Sequence, residues 1–280
     1  EANRILEFVK DKAREVGSGL NIVGAHFFHS IALGNQGRIG EAMESLTEGR
    51  RLAELNQEKY YLSRLPNTVA WLYRELGDPE RSQLVNLENV QLAREFGMPE
   101  GEANSHVNLA IDYMELGEPA RAHEILQKAE SIFDEDIWYR WRYSIRLKAA
   151  FARYWILQGD LDAARGYAEA SEEAARVHGD WKYRAWARKT LGEIALLLDD
   201  VDTSRACLDH AIGILTAHPC PTIGWKILSS RAELAAQLGD SMAADEFRGR
   251  ARATIQSLAD SVTDDPLKTR FLKSPDVRRV

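Results

Sequence analysis

Two histidines, His26 and His29, stand three residues apart, which places both on one face of a helix, where they could share a ligand. A metal ion needs further ligands with suitable geometry, and the surrounding sequence shows no such pattern. We therefore expect these histidines to serve in packing or at the surface. The sequence also shows no phosphate loop, dinucleotide-binding fingerprint, nucleophile elbow or zinc pattern. It predicts a protein that is not an enzyme and that uses no cofactor.

The densest aromatic and arginine stretch is DIWYRWRYSIRLKAAFARYW, which runs from Asp136 to Trp155. Alternating rings and arginines can bind single-stranded nucleic acid, form a protein interface or line a ligand pocket. They can also belong to an elongated helix whose rings cover its neighbours while the arginine heads reach water. This packing role or a protein interface is favoured, because the chain as a whole is acidic.

Composition narrows the classes of function further. The formal net charge is −7 over 280 residues, which disfavours a general nucleic-acid binder. Cys207 and Cys220 lack metal-ligand spacing and do not make a disulfide framework, so a reducing cytoplasm is expected. No apolar run approaches the roughly 18 residues of a membrane span, and no signal peptide is evident. The chain starts at Glu1 in full helical pattern, so we expect a fragment of a longer protein.

One type of turn recurs along the chain at a spacing of 40 residues, with a single spacing of 42. Glycine at such a turn adopts the left-handed conformation that closes a helix, and an acid after it caps the next helix. The turns are centred on Gly37, Gly77, Gly117, Gly159, Asp199 and Gly239. Small residues recur seven before each turn and five after it, which indicates that paired helices approach closely there. These small residues are Ser30, Ala70, Ala110, Ala152, Gly192 and Ala232, followed by Ala42, Ser82, Ala122, Ala164, Ser204 and Ala244.

This combination of small residues, an aromatic and a Gly-acid turn resembles the tetratricopeptide repeat. The clearest unit is NLAIDYMELGEPARAHEILQKAESI, from Asn108 to Ile132, and the resemblance covers roughly residues 21–259. The period exceeds the usual length of about 34 residues, and the early Trp and the closing Pro are missing. HEAT repeats share the longer period but suit this turn less well. The long units look like those of bacterial signal-transduction ATPases and transcription regulators.

The resemblance implies an all-α fold, a right-handed α-solenoid of about six antiparallel helix pairs with one continuous core. We expect one solenoid over residues 1–263, in which residues 1–16 are the second helix of a truncated pair, and a capping tail over 264–280. Phe271 and Leu272 of the tail are expected to dock on the last pair. The repeats are predicted at 21–56, 59–97, 102–135, 139–178, 181–217 and 222–260.

In tetratricopeptide stacks the first helices line a concave groove. The resemblance places residues 13, 10, 6 and 3 before each turn in that groove. The partner-binding candidates are Arg64, Asn67, Trp71, Arg74, Asn104, Arg146, Arg153, Trp186 and Lys189. Arginine suits carboxylates, asparagine can bond a peptide backbone, and tryptophan is typical of binding hot spots. Arg64, Asn67, Asn104 and Arg146 loosely resemble the clamp with which some members hold a terminal carboxylate. Alternatively, Trp71 is a packing residue and the arginines pair with Glu75, Glu102 or Glu193.

The sequence therefore predicts a non-catalytic protein or peptide interaction module, the regulatory or sensor part of a larger bacterial signalling protein. The partner could carry an acidic or carboxylate group, or be another domain of the same protein, whereas nucleic acid and membrane are disfavoured. The alternatives are a small-molecule effector domain and a structural or self-assembly scaffold. A pocket enclosed by Trp71, Trp186 and residues 138–155 would favour the small molecule, and an open trough would favour a peptide.

Overall fold

The computed structural model describes residues 2–133 and 140–280, and within them every regular element is a helix. Residue 1 and the predicted boundary between the third and fourth repeats, with residues 136–139 of the aromatic stretch, lie outside this described part. The helices are α1 (Ala2–Glu15), α2 (Gly19–Asn35), α3 (Ile39–Leu55), α4 (Lys59–Leu62), α5 (Leu65–Glu75), α6 (Pro79–Phe96), α7 (Pro99–Glu115), α8 (Pro119–Phe133), α9 (Arg140–Gln158), α10 (Leu161–Val177), α11 (Trp181–Leu197), α12 (Val201–Ala217), α13 (Pro221–Gln237), α14 (Ser241–Asp260), α15 (Asp265–Lys273) and α16 (Pro275–Arg278). They form an all-α, right-handed solenoid.

The recurring turns are built as their chemistry predicts. The five glycines of these turns have φ between 70° and 79°, and Asp199 takes the same left-handed conformation at 60°. At four of the six turns the next residue is an aspartate that caps the following helix: Asp160 Oδ1, for example, accepts a hydrogen bond from Ala163 N at 2.9 Å. Gly97 and Gly179 repeat this geometry between successive pairs. Local turn chemistry therefore defines both kinds of connection in the stack.

The small residues lie where helices approach most closely. Ala42, Ala122 and Ala164 are completely buried. A Cβ atom at Gly192 of α11 would come within 2.9 Å of Leu208 Cγ in the paired helix α12. Any larger side chain at these positions would push the helices of a pair apart, which explains the recurrence of Ala, Ser and Gly.

The repeat predicted at 59–97 is not a simple helix pair. The chain that precedes α6 divides there into α4 and α5. Pro66 lies in the first turn of α5, where it lacks an amide hydrogen and disfavours helical geometry in the residue before it. The break leaves Arg64 at the start of α5.

The solenoid closes on itself, because α2 of the first pair contacts α13 of the last. The backbone N of Gly40 donates to Ser261 O at 2.8 Å, and Ile39 N donates to Ser261 Oγ at 3.2 Å. Lys182 Nζ donates to Asn35 Oδ1 at 2.8 Å. We call this contact surface between the first two repeats and the C-terminal part of the chain the seam.

The tail belongs to the seam and does more than cap the last pair. Phe271 is buried against Trp225 of α13, with ring centroids 6.4 Å apart, in a core cluster that also holds Leu33, Leu72 and Leu76. Leu272, by contrast, is 36% exposed. Arg270 Nε donates to the carbonyl oxygen of Gly77 in the second repeat at 3.0 Å. The tail therefore joins the two ends of the stack.

Candidate functional site

The solenoid forms a cavity of about 310 Å³ on its concave side. The cavity is lined mainly by the first helices α5, α7, α9 and α11, and α2 contributes Phe27, Ile31 and Asn35. A smaller space of about 80 Å³ continues past Trp71 towards α13. We call the two spaces together the central cavity. Each repeat places its first helix at the same depth, so side chains from distant parts of the sequence converge there.

Arg146 on α9 is held in the central cavity by three hydrogen bonds. Its Nε donates to the hydroxyl of Tyr183 at 2.9 Å and its Nη2 to Asn108 Oδ1 at 2.6 Å, while Nη1 donates to Asn104 Oδ1. All these acceptors are neutral. Among the described residues, no carboxylate forms an ion pair with Arg146.

Arg64 lies in the same wall and is only 3% exposed. Its guanidinium carbon lies 3.7 Å from the centre of the Tyr60 ring, and its Nη2 lies 3.7 Å from Glu100 Oε1, too far for a hydrogen bond. Neither Nη1 nor Nη2 has a hydrogen-bond partner among the described residues. A buried guanidinium with unmade hydrogen bonds is costly, so this side chain stands ready for an additional acceptor.

Trp71 lies between the two parts of the central cavity and contacts charged side chains. Lys182 Nζ of α11 lies 4.3 Å from the centre of the Trp71 ring, and the indole nitrogen of Trp71 donates to Glu75 Oε1 at 3.1 Å. Glu75 Oε2 accepts from Lys226 Nζ at 2.7 Å. Burial raises the pKa of Glu75, but the charges of Lys226 and Lys182 outweigh it and hold this pKa below its usual value. The carboxylate is therefore ionised and ties α5 to α13.

Most of the predicted groove residues are brought together. The larger space is lined by Arg64, Asn67, Trp71, Asn104 and Arg146, and the smaller one adds Arg74, Arg153 and Trp186. Lys189 is the exception, because it lines neither space and donates to Glu193 one turn along its own helix. The shared location of the other eight predicted residues supports a common role for them, whereas Lys189 forms its contact within its own helix, α11.

The predicted arginine pairings with Glu75, Glu102 or Glu193 are wrong for this site, since Lys226, Arg94 and Lys189 take those acids. Two of the groove arginines pair with acids of α7 instead. Arg74 Nη1 contacts Asp112 Oδ1 at 3.2 Å, and Arg153 Nη1 contacts Glu115 Oε1 at 3.0 Å. Register explains the difference, because an arginine on one first helix faces the first helix of a neighbouring repeat.

The ion pair of Arg74 with Asp112 is part of the buried structure. Both side chains are almost inaccessible, and Asp112 also accepts from Ser82 Oγ at 2.8 Å and Asn86 Nδ2 at 3.0 Å. Burial raises the pKa of Asp112 even though Arg74 and Ser82 oppose the shift. Arg74 therefore reaches the cavity wall mainly as a structural cation that is already neutralised.

The groove register missed several side chains that line the cavity. Arg142 and Lys182 stand 17 residues before their turns, one helical turn earlier than the four positions used for the prediction. Trp141, which stacks on His178 with centroids 4.7 Å apart, and Tyr183 are their neighbours. Extending the same register by one turn would have found both cations, so the signal was present in the sequence.

The histidine pair lies outside the cavity lining and is buried between helices. His26 Nδ1 is 3.2 Å from Ser45 Oγ, and burial lowers the pKa of His26 to about 4. His29 Nδ1 is 2.6 Å from Lys10 Nζ, and burial followed by the Lys10 charge lowers its pKa. Within residues 2–133 and 140–280, no cluster of three His, Cys, Asp or Glu side chains could hold a metal ion. Of the two roles expected for these histidines, their burial agrees with packing rather than with the surface.

Comparison with known proteins agrees with this architecture. The family profile described as tetratricopeptide repeat matches residues 103–128, within the unit whose turn pattern is clearest. No curated protein sequence matches the chain significantly. In the described residues, no helix is both long enough and apolar enough to cross a membrane.

Several solved structures share the fold at low sequence identity. A Rap conjugation gene regulator of plasmid pLS20, in complex with the Phr* peptide, is similar with a TM-score of 0.66 and 14% identity over 92% of this chain and 75% of that one. A Rap protein complexed with competence and sporulation factor has a TM-score of 0.62 and 15% identity over 90% and 81%. The apo quorum sensor NprR from B. thuringiensis has a TM-score of 0.53 and 14% identity over 90% and 82%. At these identities the similarity establishes the fold.

Proposed function

We propose that this tetratricopeptide-repeat solenoid is a non-catalytic regulatory module that binds a peptide or a protein segment in its central cavity. The observation that carries the proposal is the convergence of Arg64 and Trp71 of the second repeat and Arg146 of the fourth on one cavity. Buried arginine and tryptophan in a concave site are the side chains that dominate binding energy in protein interfaces. Two of the similar structures are complexes, one with the Phr* peptide and one with competence and sporulation factor, which agrees with this use of the fold.

The finer parts of the proposal concern the partner and its context. The cavity presents arginine, asparagine and tryptophan together, so the bound segment carries an acidic group beside apolar side chains. Its source is another protein or a further domain of a longer bacterial signalling protein, and the complex forms in the cytoplasm. Binding would act through the seam, because α2 and α11 both line the cavity and meet at the seam through Asn35 and Lys182.

A substitution that fills the cavity tests the proposal without changing charge. Ala149 of α9 lines the smaller space beside Trp71 and Trp186, so Ala149→Phe would place a ring where the partner would lie. Ala206 is exposed on α12, and Ala206→Phe adds the same ring outside the cavity. Wild type and both variants, matched in helicity and melting temperature, would be used to capture partners from lysate of the source organism.

A partner retained by wild type and Ala206→Phe but lost from Ala149→Phe would support cavity binding. Equal retention by all three would place the partner elsewhere and contradict the proposal. Mass spectrometry of the retained material would identify the partner protein.

A second candidate function is a small-molecule effector domain, and the lining of the site favours it. The central cavity is lined by Trp71, Trp186 and helix α9, the residues expected to line an effector pocket. Its volume of about 310 Å³ reaches the lower end of the roughly 300–1,000 Å³ typical of ligand sites. Native mass spectrometry of the purified protein would reveal a retained small molecule, and loss of that molecule from Ala149→Phe would assign it to the cavity.

A further inference from the structure

We infer that the larger space of the central cavity is an anion site suited to a phosphate monoester, held between Arg146 of α9 and Lys182 of α11. This inference rests on the proposed function, because it specifies the chemistry of the ligand that occupies the same cavity. In this view the cationic side chains, rather than the apolar side chains of the cavity, recognise the ligand.

The first support is the charge balance of the lining. Four cations line the larger space, namely Arg64, Arg142, Arg146 and Lys182, and Asp180 is the acid among the described lining residues. Asp180 is already engaged, since its Oδ1 accepts from Tyr183 N at 3.1 Å and caps helix α11. Glu100, just outside this lining, lies 3.7 Å from Arg64 Nη2 and offsets that cation. With both acids counted, the described lining carries about two uncompensated positive charges in a protein whose net charge is −7.

The second support is the neutrality of the partners of these cations. Arg146 donates to Asn104, Asn108 and Tyr183, and Lys182 donates to Asn35 while lying over the Trp71 ring. Within the described part of the chain, no carboxylate forms an ion pair with either side chain. Uncompensated cations in a partly desolvated space are unfavourable, and an anion that enters the space would relieve this repulsion.

The third support is that the cations are held in place before a ligand arrives. Tyr183 connects them, because its hydroxyl accepts from Arg146 and its ring centre lies 5.9 Å from Lys182 Nζ. The unpartnered Nη1 and Nη2 of Arg64, buried in the same wall, provide two more donors after a small shift of the side chain. Such fixed donors lower the entropic cost of binding.

The number of charges favours a phosphate monoester over a single carboxylate. A carboxylate would neutralise one of about two charges, whereas a phosphate monoester carries about −1.5 to −2 and offers three acceptor oxygens. The planar fork of arginine matches phosphate oxygens in a bidentate arrangement. The bound group could belong to a phosphorylated small molecule or to a phosphorylated residue of a peptide.

Fluorescence titration tests the inference, because Trp71, Trp141 and Trp181 line the space and report on its occupancy. The probes are inorganic phosphate, phosphoserine, serine and sodium acetate, at constant ionic strength. The proteins are wild type, Arg146→Gln, and Arg50→Gln as a matched control. Arg50 forms an exposed ion pair with Glu54 on α3, so the control removes the same charge far from the cavity. Circular dichroism of each variant confirms that it is folded.

We expect saturable binding of phosphate and phosphoserine to wild type and to Arg50→Gln, and weaker binding by about tenfold or more to Arg146→Gln. Serine and acetate should bind at least about tenfold more weakly than phosphoserine. Equal affinity of Arg146→Gln and Arg50→Gln, equal affinity for acetate and phosphate, or no binding of phosphate would each overturn the inference.

The same titration separates the sources of the phosphate and the two proposals. Tighter binding of a phosphoserine-containing pentapeptide than of free phosphoserine would indicate a peptide ligand, and the reverse order would indicate a small molecule. A partner that is captured through the cavity but is not displaced by phosphate would overturn the anion inference and leave the proposed function standing. If wild type, Ala149→Phe and Ala206→Phe retain the partner equally and phosphate does not bind, both the proposed function and the anion site are contradicted.

Discussion

Arg270, near the end of the chain, donates from Nε to the carbonyl oxygen of Gly77 at 3.0 Å, across 193 residues of sequence. The same guanidinium contacts Glu80 and lies 3.5 Å from Asp78. These groups form the first turn of α6, so Arg270 binds the turn that separates the two helices of the second repeat. The ring is held at this point by a side chain that is itself 43% exposed.

Removing Arg270 should loosen the end of the ring without unfolding the stack. We expect Arg270→Ala to increase hydrogen exchange in α15 and α16 by about three- to tenfold, because one charge-assisted bond to a backbone oxygen is lost. Arg279→Ala, which removes an arginine paired with Asp276 at the surface, should leave these rates unchanged. Unaltered exchange in Arg270→Ala would show that Arg270 does not stabilise the seam.

Substitutions at the adjacent residues Phe271 and Leu272 measure how much the buried part of the seam contributes to the free energy of unfolding. Phe271→Ala should lower the free energy of unfolding by about 3–5 kcal/mol, because it leaves a cavity beside Trp225 in the shared core. Leu272→Ala, one residue further on and partly exposed, should cost less than about 1 kcal/mol. Urea unfolding followed by circular dichroism measures both. Similar values for the two variants would mean that the tail is not packed as described.

The buried ion pair on α5 and α7 predicts a large effect for its acid. Asp112→Ala should lower the free energy of unfolding by about 3–5 kcal/mol, since Arg74 would keep its charge in a buried site without a partner. Glu54→Ala, which breaks the exposed pair with Arg50, should cost about 0–1 kcal/mol.

A double-mutant cycle separates the pair from its surroundings. If the Arg74→Ala and Asp112→Ala costs sum without a coupling energy, the two side chains do not interact in the way their geometry indicates. We expect the double variant to be clearly more stable than the sum of the single effects would make it.

Buried His106 makes stability depend on pH. Burial lowers the pKa of His106 from 6.5 to about 4 in the folded protein, with smaller contributions from Arg94 and Lys128. The unfolded chain then binds more protons than the folded chain between pH 6.5 and 4, so stability falls as pH falls through this range. The shift corresponds to a loss of about 3 kcal/mol when it is complete.

The measurement compares wild type with His106→Leu in urea at pH 7 and pH 4.5. We expect the variant to lose about 2 kcal/mol less than wild type between these pH values, because it no longer has the buried imidazole. Identical losses would show that His106 protonates as easily in the folded as in the unfolded protein.

Local signals explain why the fold was accessible from sequence. The turns at Gly77 and Gly159 depend on residues next to them, and the buried Ala122 and Ala164 follow from helical spacing. The break before Pro66 also has a local cause. A helix can accept a proline in its first turn, so the proline alone did not show that the periodic pattern is interrupted there.

Ring closure was not predictable in this way. The contact of Asn35 with Lys182 results from the summed rotation of all intervening repeats, which no single turn specifies. Nor could the sequence show which arginines of the groove are neutralised by a carboxylate. The sequence placed both Arg74 and Arg146 in the groove, yet of these two only Arg74 meets an acid, because Asp112 lies opposite it on α7 and Arg146 faces asparagines instead.

Closure through Ser261 and Gly40 also fixes how many repeats this protein can have. An open solenoid tolerates duplication or loss of a unit, because each unit contacts only its neighbours. A ring in which the last unit contacts the first has no such freedom, since an extra unit would separate the two ends. Evolution of this chain by repeat duplication is therefore restricted in the way it is for a propeller with a set number of blades, and variation must come from side chains.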